Sequence, residues 1–568
     1  MRIITLHCDY IRFKPLKKAI KNAEELKSKE QQEIKEPLVV LTAVEKGDDH
    51  GTVKELIESI KKTAKEVKAH DIVLYPYAHL SSNLAHPDTA LEYLSEAENC
   101  LRAEGFNVTR APFGHYKEFE LKCKGHPLAE LSKEFRTDNA GKIIEDTEDY
   151  DISKLLKEIS RTKLDTSKLK DNDHRILGQK LDLFSFNDVA SGSIFWHNNG
   201  LIIFNELKGF LKELLRDFEY KEIATPQILD SKLFKVSGHW GHYRNNMLLT
   251  KYEERDFGVK PMNCPGAMLI YKTKTRSYKD LPLRFAEFGI DHRRELSGVL
   301  AGLFRLIQFT QDDAHIFCTK EQIGEEIENI LKMVKIIYKD KFNFDYFLEL
   351  STKPEKSMGD KKDWDDAERM LEEQLKKSKV KYKINKGAGA FYGPKIDIQI
   401  KDSLDRLWQC ATIQLDMQMP KRFEITYVDN DNKEKTPFVI HRAILGAVER
   451  FMGVLLEHLN GNLPTWLSPV QARIINFTDR NMKSAEKVIS EFKKHIPNLR
   501  IDSDFRNTTV NEKIRDAEVM KIPYIIVIGD KEEKANTLAV RERGKKPEFG
   551  IKMDKFVKEL GEKIDRRI

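Results

Sequence analysis

The sequence predicts a multidomain chain of mixed class, with an α/β domain at each end and an α+β domain built on an antiparallel sheet between them. At 568 residues the chain is too long for one hydrophobic core, so three or four domains are expected. Strand-like and helical stretches alternate at both ends, which is typical of α/β domains. In the middle, strand-like stretches follow one another at hairpin spacing, which favours an antiparallel sheet.

The first α/β domain is predicted over residues 1–135. Strands are predicted at "RIITLHCDYIRF", "PLVVLTAVEKG" and "DIVLYPYAHL", and amphipathic helices at "TVKELIESIKKTAKEVKAH" and "TALEYLSEAENCLRAEG". Residues 136–173 are charged and poor in aromatic side chains. This stretch is therefore predicted to be a linker with a short helix around 152–160.

The antiparallel sheet is predicted over residues 174–464 and the second α/β domain over residues 465–568. Strands of the middle domain are predicted at "PLRFAEFGI", "RLIQFTQDDAHIFC", "KIDIQIK", "LWQCATIQLDM" and "RFEITYVD". In the last domain "ARIINFTD", "LRIDSDF", "IPYIIVIG" and "TLAVRER" alternate with helical stretches. This regular alternation predicts a compact module.

Charge and cysteine content limit the possible partners and compartments. Lys plus Arg number 97 against 91 Asp plus Glu, a net charge of +6, so a nucleic-acid partner must be bound by local patches. A solvated surface without a polyanion partner fits this balance equally well. The six cysteines lie far apart without a CxxC pair, which favours reduced thiols and a cytoplasmic location. No apolar run approaches the roughly 20 residues that span a bilayer, so no membrane association is expected.

Polar side chains follow one another on one face of the stretch "FTQDDAHIFC". Alternation puts Gln311, Asp313 and His315 together, although the flanking residues are those of a buried strand. "LWQCATIQLD" has a similar pattern, with Cys410, Thr412 and Gln414 on one face and Gln409 on the opposite face. Such rows predict either the floor of a binding site or a buried hydrogen-bond network.

Arginines and small residues accompany these strands. "HRRELSG" and Arg305 suit a phosphate-bearing ligand, because guanidinium offers a planar fork to phosphate oxygens; a solvated ion-pair surface is the alternative. "FVIHRAILGAVERF" predicts a strand that enters a helix, in which Ala443, Gly446 and Ala447 align with Arg450. The small residues would leave room for a ligand or for close helix–sheet packing.

Eight stretches in one order carry a family resemblance. "KPMNCPGAM", "YKDLPLRFAEFG", "RRELSG", "GLFR", "FTQDDAHIFC", "GAFYGPKIDI", "LWQCATIQLD" and "IHRAILGAVERF" together resemble the threonyl-tRNA synthetases, which are class II aminoacyl-tRNA synthetases. The resemblance runs from "DHRILGQKLDLF" to the C-terminus. It implies a class II antiparallel-sheet catalytic domain, followed by an anticodon-binding domain.

The resemblance implies the following nucleotide contacts. Arg293 would touch the α-phosphate of ATP and the amino-acid carboxylate, and Arg450 would hold the γ-phosphate and cover the adenine. Glu295 would contact the adenine edge and Arg305 the outer phosphates. The floor under adenosine and substrate would consist of Gln409, Thr412 and Gln414.

The resemblance also implies one zinc ion per chain, bound by Cys264, His315 and His441. These residues are 51 and 126 positions apart, so their spacing alone predicts no metal site. Three protein ligands leave coordination positions open, which the family uses for the amino and hydroxyl groups of threonine. Asp313 would accept a hydrogen bond from that hydroxyl, and the amino group would be contacted by Gln311 and Tyr392.

The implied reaction is attack of the threonine carboxylate on ATP, with Mg²⁺, followed by transfer of the threonyl group to tRNA(Thr). A homodimer is expected, because class II members dimerise through the motif that lies near Pro282 here. Four positions depart from the family. Ala267 replaces a histidine, Arg294 stands where asparagine is common, and Ile307 and Gln308 replace an arginine and a glycine.

The two ends carry resemblances of their own. "DFRNTTVNEKIRDAE" and "IGDKEEKANTLAVRERG" are similar to the anticodon-binding domain of class II synthetases. Bases would be read near Asn507, Glu532 and Arg541; surface ion pairs are the alternative.

Residues 1–135 resemble the editing domain of archaeal-type threonyl-tRNA synthetases, which is related to D-aminoacyl-tRNA deacylases. The matching stretches are "RIITLHCDYIRFKPLKKAI", "LYPYAHLSSNLAHP" and "APFGHYKEFELKCKGHPLAEL". The pocket positions would be His79, Tyr116, Lys117 and Glu130, with Lys117 orienting water and substrate. An ordinary charged strand surface is the alternative for each of them.

Three functions are compatible with these patterns. The first is a threonine–tRNA ligase that also hydrolyses seryl-tRNA. The second is an inactive synthetase-like paralogue that binds tRNA, and the third is a relative that charges serine or proline. Amino-acid-dependent ATP–pyrophosphate exchange distinguishes the three.

Overall fold

The computed structural model describes residues 1–20, 23–26, 28–81, 83–135, 151–159, 167 and 169–568. They form two compact units, Met1–Tyr150 and Asp151–Ile568. Most of the predicted linker, residues 136–173, lies outside the described residues. The helix Ile152–Ile159 within it confirms the predicted short helix. Among the described helices, none is both long and apolar enough to span a bilayer.

The first unit is a mixed sheet flanked by helices, as the sequence predicts. Its sheet has the order β2-β1-β3-β4-β5, and β6 and β7 also pair with the long strand β1. Helix α1 begins at a capping box between Asp49 and Thr52 and packs its apolar face on the sheet. The elements are β1 Arg2–Lys18, β2 Gln32–Lys35, β3 Leu38–Ala43, α1 His50–Val67, β4 Asp71–Pro76, α2 Pro87–Ala103, β5 Asn107–Arg110, β6 His115–Cys123 and β7 Glu130–Glu134.

The second unit begins with the elements that surround the large sheet. Its helices are α3 Ile152–Ile159, α4 His174–Lys180, α5 Asn198–Asp217, α6 Ser231–Ser237, α7 His239–His242, α8 Cys264–Lys272, α9 Ile323–Val334, α10 Lys361–Ser378, α11 Met419–Arg422 and α12 Val448–His458. Its strands are β8 Phe184–Ser185, β9 Phe195–Trp196, β10 Lys221–Glu222, β11 Ile228–Asp230, β12 Leu248–Tyr252, β13 Arg255–Val259, β14 Leu283–His292, β15 Gln308–Cys318, β16 Asp345–Ser351, β17 Tyr382–Asn385, β18 Lys395–Lys401, β19 Leu407–Asp416, β20 Tyr427–Val428, β21 Glu434–Lys435 and β22 Phe438–Ala447.

The large sheet has the order β10-β14-β15-β22-β19-β18-β16-β17. Neighbours from β14 to β16 are antiparallel, which confirms the predicted sheet, and the edge strands β10 and β17 pair in parallel. One face of the central strands packs on α5, α9 and α12 through fully buried side chains such as Ile316, Ile413 and Ile440. The opposite face is therefore free to carry polar side chains.

The sequence prediction for "FVIHRAILGAVERF" is wrong about where the helix begins. Ala443, Gly446 and Ala447 lie on β22, and α12 begins at Val448. Strand pairing continues as far as Ala447, which faces Gln311 of β15. Gly446 has φ +71°, and a Cβ there would lie 2.5 Å from the Cys410 carbonyl oxygen, so the close approach of β19 sets the strand conformation.

The C-terminal part of the second unit is a sheet with the order β24-β23-β25-β26-β27. β23, β24 and β25 are parallel, whereas β26 and β27 are antiparallel to their neighbours. This confirms the predicted α/β alternation. The elements are β23 Ala472–Asn476, α13 Met482–His495, β24 Ile501–Asp504, α14 Val510–Val519, β25 Tyr524–Ile528, α15 Asp530–Ala535, β26 Thr537–Glu542, β27 Glu548–Lys552 and α16 Met553–Asp565.

Candidate active site

The polar face of the large sheet is the floor of a cavity of about 460 Å³. Strand register explains why distant residues meet there, because His315 pairs with His441 and His441 pairs with Gln414 on the next strand. Directly opposed residues of neighbouring strands project their side chains to the same face. All the predicted nucleotide, amino-acid and metal contacts line this cavity: Cys264, Arg293, Glu295, Arg305, Gln311, Asp313, His315, Tyr392, Gln409, Thr412, Gln414, His441 and Arg450.

A buried cluster of one thiol and two imidazoles lies at one end of the cavity. One potential ligand atom from each of Cys264, His315 and His441 lies within 4.8 Å of the others. His315 Nε2 is buried without a hydrogen-bond partner among the described residues. His441 Nε2 lies 2.9 Å from the Asp416 carboxylate, an arrangement that commonly orients a metal-binding imidazole.

The chemistry of this cluster fits a divalent cation. Burial lowers the pKa of His315 well below its usual value, which keeps the imidazole neutral, as a metal ligand must be. Burial raises the pKa of the Cys264 thiol, and the carboxylates of Asp313 and Asp416 raise it further. A cation at this position would have the opposite effect on the thiol and would satisfy the unpartnered imidazole nitrogen.

Next to the cluster, Asp313 and Tyr392 occupy fixed positions. Burial raises the pKa of Asp313 to about 6, although a hydrogen bond from the Asn263 amide, 3.1 Å long, partly offsets this effect. The Tyr392 hydroxyl donates to the Gln414 side chain. Gln311 lines the same cavity on β15. Buried carboxylate and hydroxyl groups that face a cavity can select a ligand by its polar groups.

Arginines line the same cavity. Arg293 Nε donates to the Pro261 carbonyl at 3.2 Å, and its guanidinium lies 5.0 Å from the centre of the Phe309 ring. Arg450, in the first turns of α12, donates from Nε to the Phe304 carbonyl at 2.8 Å. Hydrogen bonds to backbone carbonyls therefore orient both arginines.

The positive charge of the arginines is concentrated. Burial lowers the pKa of Arg450 below its usual value, and the nearby guanidinium groups of Arg293 and Arg305 lower it further. Arg305 Nε donates to Glu295 Oε2 at 3.0 Å. Such a group of cations suits a polyphosphate, which would neutralise their mutual repulsion.

The prediction that Gln409 faces away from Thr412 is wrong. In the β18–β19 pairing Ile398 faces Ala411, but Gln399 faces Gln409, so β19 contains one extra residue at a bulge. The bulge interrupts the alternation of side chains. As a result, Gln409 Nε2 lies 3.3 Å from Thr412 Oγ1.

Asp397 organises this part of the floor, and the sequence analysis missed it. Its carboxylate accepts hydrogen bonds from Gln409, from Thr412 at 3.3 Å and from Ser351 at 2.7 Å. The side chain is buried, with Lys395 Nζ 2.8 Å away. The signal that could have revealed it is a single carboxylate within the apolar alternation of "KIDIQIK".

The four departures from the family have different surroundings. Ala267 is fully buried in α8, whereas Arg294 is exposed. A Cβ on Gly192 would lie 2.6 Å from Ile307, so the isoleucine packs against that glycine. The Gln308 amide donates to the Gly192 carbonyl at 3.2 Å. Ile307 and Gln308 thus belong to one tight backbone contact.

His239 is a further neighbour of the cluster that the sequence analysis did not identify. Its Nε2 lies 3.8 Å from Cys264 Sγ and 3.1 Å from Met262 Sδ. Burial lowers the pKa of His239 to about 3. The signal for it would have been the histidine-rich stretch "GHWGHY", which the structure folds against α8.

In the first unit, two of the predicted editing residues belong to one aromatic group. The ring of His79 lies 5.5 Å from that of Tyr77, which lies 6.4 Å from Phe119. Phe119 contacts Tyr75 at 5.3 Å, and Lys117 Nζ lies 4.9 Å from the centre of the Tyr75 ring. The structure therefore connects His79 and Lys117 through a row of rings.

Tyr116 and Glu130, the other two predicted editing residues, do not lie beside Lys117. Tyr116 is 55% exposed and, by strand alternation, projects from the opposite face of β6 to Lys117. Lys117 pairs with Pro15 of β1, whereas Glu130 pairs with Leu6. Nine positions along a strand correspond to roughly 30 Å of extended chain.

In the C-terminal part, two of the three predicted anticodon residues share one edge of the sheet. Asn507 follows β24, and Glu532 lies in α15, directly after β25. These strands are parallel to β23, so their carboxyl ends meet at one edge. Arg541 lies on β26 opposite the start of β25 and pairs with Glu518 at 3.0 Å. It is therefore nearer the other edge.

Phe477 is an aromatic residue at this carboxyl edge that the sequence analysis missed. It follows β23, which lies between β24 and β25, and its side chain is 59% exposed. Exposed aromatic rings are common stacking platforms for unpaired bases. The signal would have been an aromatic residue directly after a buried strand, in "IINFTD".

Three family descriptions match the chain. The archaea-specific editing domain of threonyl-tRNA synthetase matches residues 1–135, and the class II tRNA synthetase core domain (G, H, P, S and T) matches residues 246–459. The anticodon-binding domain matches residues 471–563. The fold is therefore that of an editing domain, a class II catalytic domain and an anticodon-binding domain.

The chain is also similar to individual proteins. The threonine–tRNA ligases of Clostridium tetani (strain Massachusetts / E88) and Desulforamulus reducens are 48% and 47% identical over 70% of this chain. The chain spans 62% of the length of each of these relatives.

Two solved structures align with the chain over nearly their whole length. One is the putative threonyl-tRNA synthetase of Aeropyrum pernix, with 29% identity and a TM-score of 0.61 over 69% of this chain and 96% of that one. The other is the RNA-binding domain of threonyl-tRNA synthetase from Cryptosporidium parvum Iowa II, with a TM-score of 0.66 over 69% of this chain. Because that alignment has 41% identity and covers 98% of the Cryptosporidium parvum chain, the present chain belongs to the threonyl-tRNA synthetase family.

Proposed function

We propose that this chain is a threonine–tRNA ligase that activates L-threonine with ATP, transfers it to tRNA(Thr) and hydrolyses mischarged seryl-tRNA(Thr). One observation carries the proposal. A buried cluster of Cys264, His315 and His441 stands beside Asp313 in a cavity that is also lined by arginines. This arrangement suits simultaneous recognition of a small hydroxyl-bearing amino acid and a polyphosphate.

The amino-acid end of the cavity would select threonine by its hydroxyl group. Zinc held by Cys264, His315 and His441 would supply open coordination positions for the amino and hydroxyl groups of threonine. Asp313 accepts a hydrogen bond from the hydroxyl, and the amino group is contacted by Gln311 and Tyr392. Valine has nearly the same shape but leaves the carboxylate unpaired. A site built to bind a hydroxyl rejects an analogue without one by a factor on the order of 10⁴ or more.

The nucleotide end would position ATP and neutralise its charge. Arg293 contacts the α-phosphate and the carboxylate of the amino acid, and Arg450 holds the γ-phosphate. Glu295 contacts the adenine edge and Arg305 the outer phosphates. Since Glu295 and Arg305 lie within 3.0 Å of each other, ATP that contacts both must bend so that its outer phosphates lie next to the base.

No side-chain nucleophile is required for this reaction. The threonine carboxylate attacks the α-phosphorus, a threonyl-adenylate forms and pyrophosphate leaves, assisted by Mg²⁺ that accompanies ATP. A terminal hydroxyl of tRNA then attacks the carbonyl carbon of the adenylate, so that the threonyl group passes to the tRNA and AMP leaves. The residues of the cavity act by positioning and by electrostatic stabilisation.

The editing activity follows from the limits of the first site. Serine has the hydroxyl and lacks only a methyl group, a difference worth roughly 10- to 200-fold in discrimination. Hydrolysis of seryl-tRNA in the first unit would supply the remainder. The half-buried ammonium of Lys117, close to the aromatic row that leads to His79, supports this assignment.

The remaining parts of the proposal concern binding and assembly. Unpaired anticodon bases would contact Asn507 and Glu532 at the carboxyl edge of the C-terminal sheet, and Arg541 would contact the RNA nearer the other edge. A homodimer formed through the segment around Pro282 is supported by the resemblance to class II synthetases, and a cytoplasmic location by the widely spaced cysteines.

Amino-acid-dependent ATP–pyrophosphate exchange tests the central proposal. We expect exchange with threonine, weaker exchange with serine and almost none with valine or proline. Arg293→Gln should reduce exchange about 100-fold, because a charged contact present in the transition state is worth about 3 kcal/mol. Arg294→Gln is the matched control, since the neighbouring side chain is exposed and should leave the rate near normal.

Each contrary result selects another function. Absence of exchange in the zinc-loaded, magnesium-supplemented protein would support a tRNA-binding paralogue. Preferential exchange with serine or proline would identify a different amino-acid specificity. Aminoacylation of tRNA(Thr) in the same preparation tests the second step.

A further inference from the structure

His174 joins three distant segments of the catalytic domain. It is the first residue of α4 and is fully buried. Its Nε2 accepts a hydrogen bond from the Leu303 amide at 3.0 Å, so the ring proton is on Nδ1. Nδ1 then donates to Glu457 Oε1, 2.6 Å away in α12. Its partners lie 129 and 283 positions further along the chain.

The side-chain atoms around His174 already have partners. The second oxygen of Glu457 accepts from Arg406, and both oxygens of Asp173 accept from Arg175, at 2.9 and 2.8 Å. Asp173, His174 and Glu457 are close enough to be metal ligands. Since their atoms are engaged in hydrogen bonds, the group acts as a structural connection and not as a metal site.

The segment held by His174 is a wall of the active-site cavity. Leu303 belongs to the 3₁₀ turn Gly302–Phe304, and Leu303, Phe304 and Arg305 all line the cavity. The Phe304 carbonyl accepts the hydrogen bond from Arg450 Nε at 2.8 Å. A displacement of this turn would therefore move Arg305 directly and release the orientation of Arg450.

The turn packs against the imidazole without spare room. Gly302 has φ +55°, and a Cβ on it would lie 2.2 Å from His174 Nε2. The rings of His174 and Phe304 are 4.2 Å apart. On the other side, a Cβ on Gly453 of α12 would lie 3.1 Å from Leu303. A buried amide that loses its acceptor costs about 1–3 kcal/mol, so without the imidazole the turn would shift to pair its amide.

We infer that His174 is a positioning residue for ATP. It fixes the turn at residues 302–305 through the Leu303 amide, and through the turn it fixes Arg305 and Arg450. The inference rests on the proposed function. It implies a defect selective for ATP, because the residues assigned to threonine lie on β15, β19, β22 and α8 and at Tyr392, and none of them belongs to this turn.

Two substitutions separate the two hydrogen bonds of the imidazole. In His174→Gln the amide oxygen can reach the position of Nε2 and accept from Leu303. In His174→Asn the amide nitrogen can take the position of Nδ1 and donate to Glu457, but the Leu303 amide is left unpaired. The full-length protein is used for threonine-dependent pyrophosphate exchange and for calorimetric titration with ATP and Mg²⁺.

We expect His174→Asn to raise the KM for ATP about tenfold, which corresponds to about 1.4 kcal/mol. The KM for threonine should stay within about twofold, and His174→Gln should stay within about threefold of the natural chain for both. His458→Asn is the matched control. It is the next residue of α12 after Glu457, and its ring contacts Phe344 at 4.2 Å instead of the turn.

Several results would overturn the inference. Equal effects of asparagine and glutamine, or a rise in the KM for threonine as large as that for ATP, would indicate a purely structural role. If His174→Asn does not fold, Gly302→Ala perturbs the same contact from the turn, and an unchanged KM for ATP in that variant counts against the inference.

If the natural chain shows no exchange, the proposed function fails separately. The ATP titrations then decide the inference, and an unchanged dissociation constant in His174→Asn refutes it.

Discussion

Lys117 should give the proposed editing reaction an unusual pH dependence. Its ammonium donates to the carbonyls of Pro112 and His115 at 3.0 and 3.3 Å and lies 4.9 Å from the centre of the Tyr75 ring. Burial lowers the pKa of Lys117 from 10.5 to about 8, an effect that Glu24 partly offsets. The protonated fraction therefore falls from about 0.9 at pH 7 to about 0.1 at pH 9. Because the charged form orients water and substrate in the proposed mechanism, hydrolysis of seryl-tRNA(Thr) should slow about tenfold over this interval.

The assay is the initial rate of seryl-tRNA(Thr) hydrolysis from about pH 6.5 to 9.5, corrected for uncatalysed hydrolysis. Lys117→Arg is the matched control, since a guanidinium stays protonated throughout, and its rate should not fall with rising pH. Lys117→Met should be slow at every pH while threonine activation stays near normal. A rate in the natural chain that is level or rises between about pH 7 and 9 would refute the reasoning. Unchanged hydrolysis in Lys117→Met would remove Lys117 from the site.

Three further predictions follow from the other sites. Cys264→Ser should reduce bound zinc from about one ion per chain to a small fraction of that amount. Plasma mass spectrometry of the purified proteins measures the zinc, and equal zinc in the natural chain and the variant would contradict the assigned ligands. Gly446→Ala should lower the melting temperature and reduce threonine activation at least tenfold, because its Cβ would lie 2.5 Å from a carbonyl oxygen of β19. Gly544 has a similar φ of +77° but open space around it, so Gly544→Ala is a control for backbone strain alone. Phe477→Ala should raise the KM for tRNA by about 5- to 150-fold without changing threonine activation, since stacking of a base is worth about 1–3 kcal/mol. Phe549→Ala removes another exposed ring and should leave the KM for tRNA unchanged. Equal effects of the two substitutions would show that Phe477 stacks on no base.

Local periodicity was informative wherever one strand or helix faces one environment. The alternation in "FTQDDAHIFC" placed Gln311, Asp313 and His315 on one face, and these residues line the cavity. The same rule failed at Gln409, because a bulge depends on how β18 pairs with β19 and leaves no periodic signal in β19 alone. It also failed at Gly446, where the close approach of a second strand extended β22 into a stretch with helical spacing.

The residues that form the candidate sites were predicted from family resemblance, but their neighbours were not. Asp397 and His239 have no motif of their own, and each acquires significance only through side chains that approach it from other strands or helices. Similarly, Tyr116 and Glu130 are matched by position, yet alternation along β6 turns Tyr116 to the face opposite Lys117, and the pairing of β1 with β6 and β7 places Glu130 far along β1 from Lys117.

By itself the sequence determined the order and class of the domains, the strands that carry polar faces and the kinds of side chain available for chemistry. It could do so because the periodic spacing of hydrophobic residues is a local property of the chain. Only the tertiary structure decided which of these side chains meet. Cys264, His315 and His441 come together because β15 pairs with β22 in one register and α8 packs above them, and a register shift of one residue would turn each histidine to the other face. Strand register depends on contacts between segments far apart in the chain, so it cannot be predicted from the spacing of these residues along the sequence.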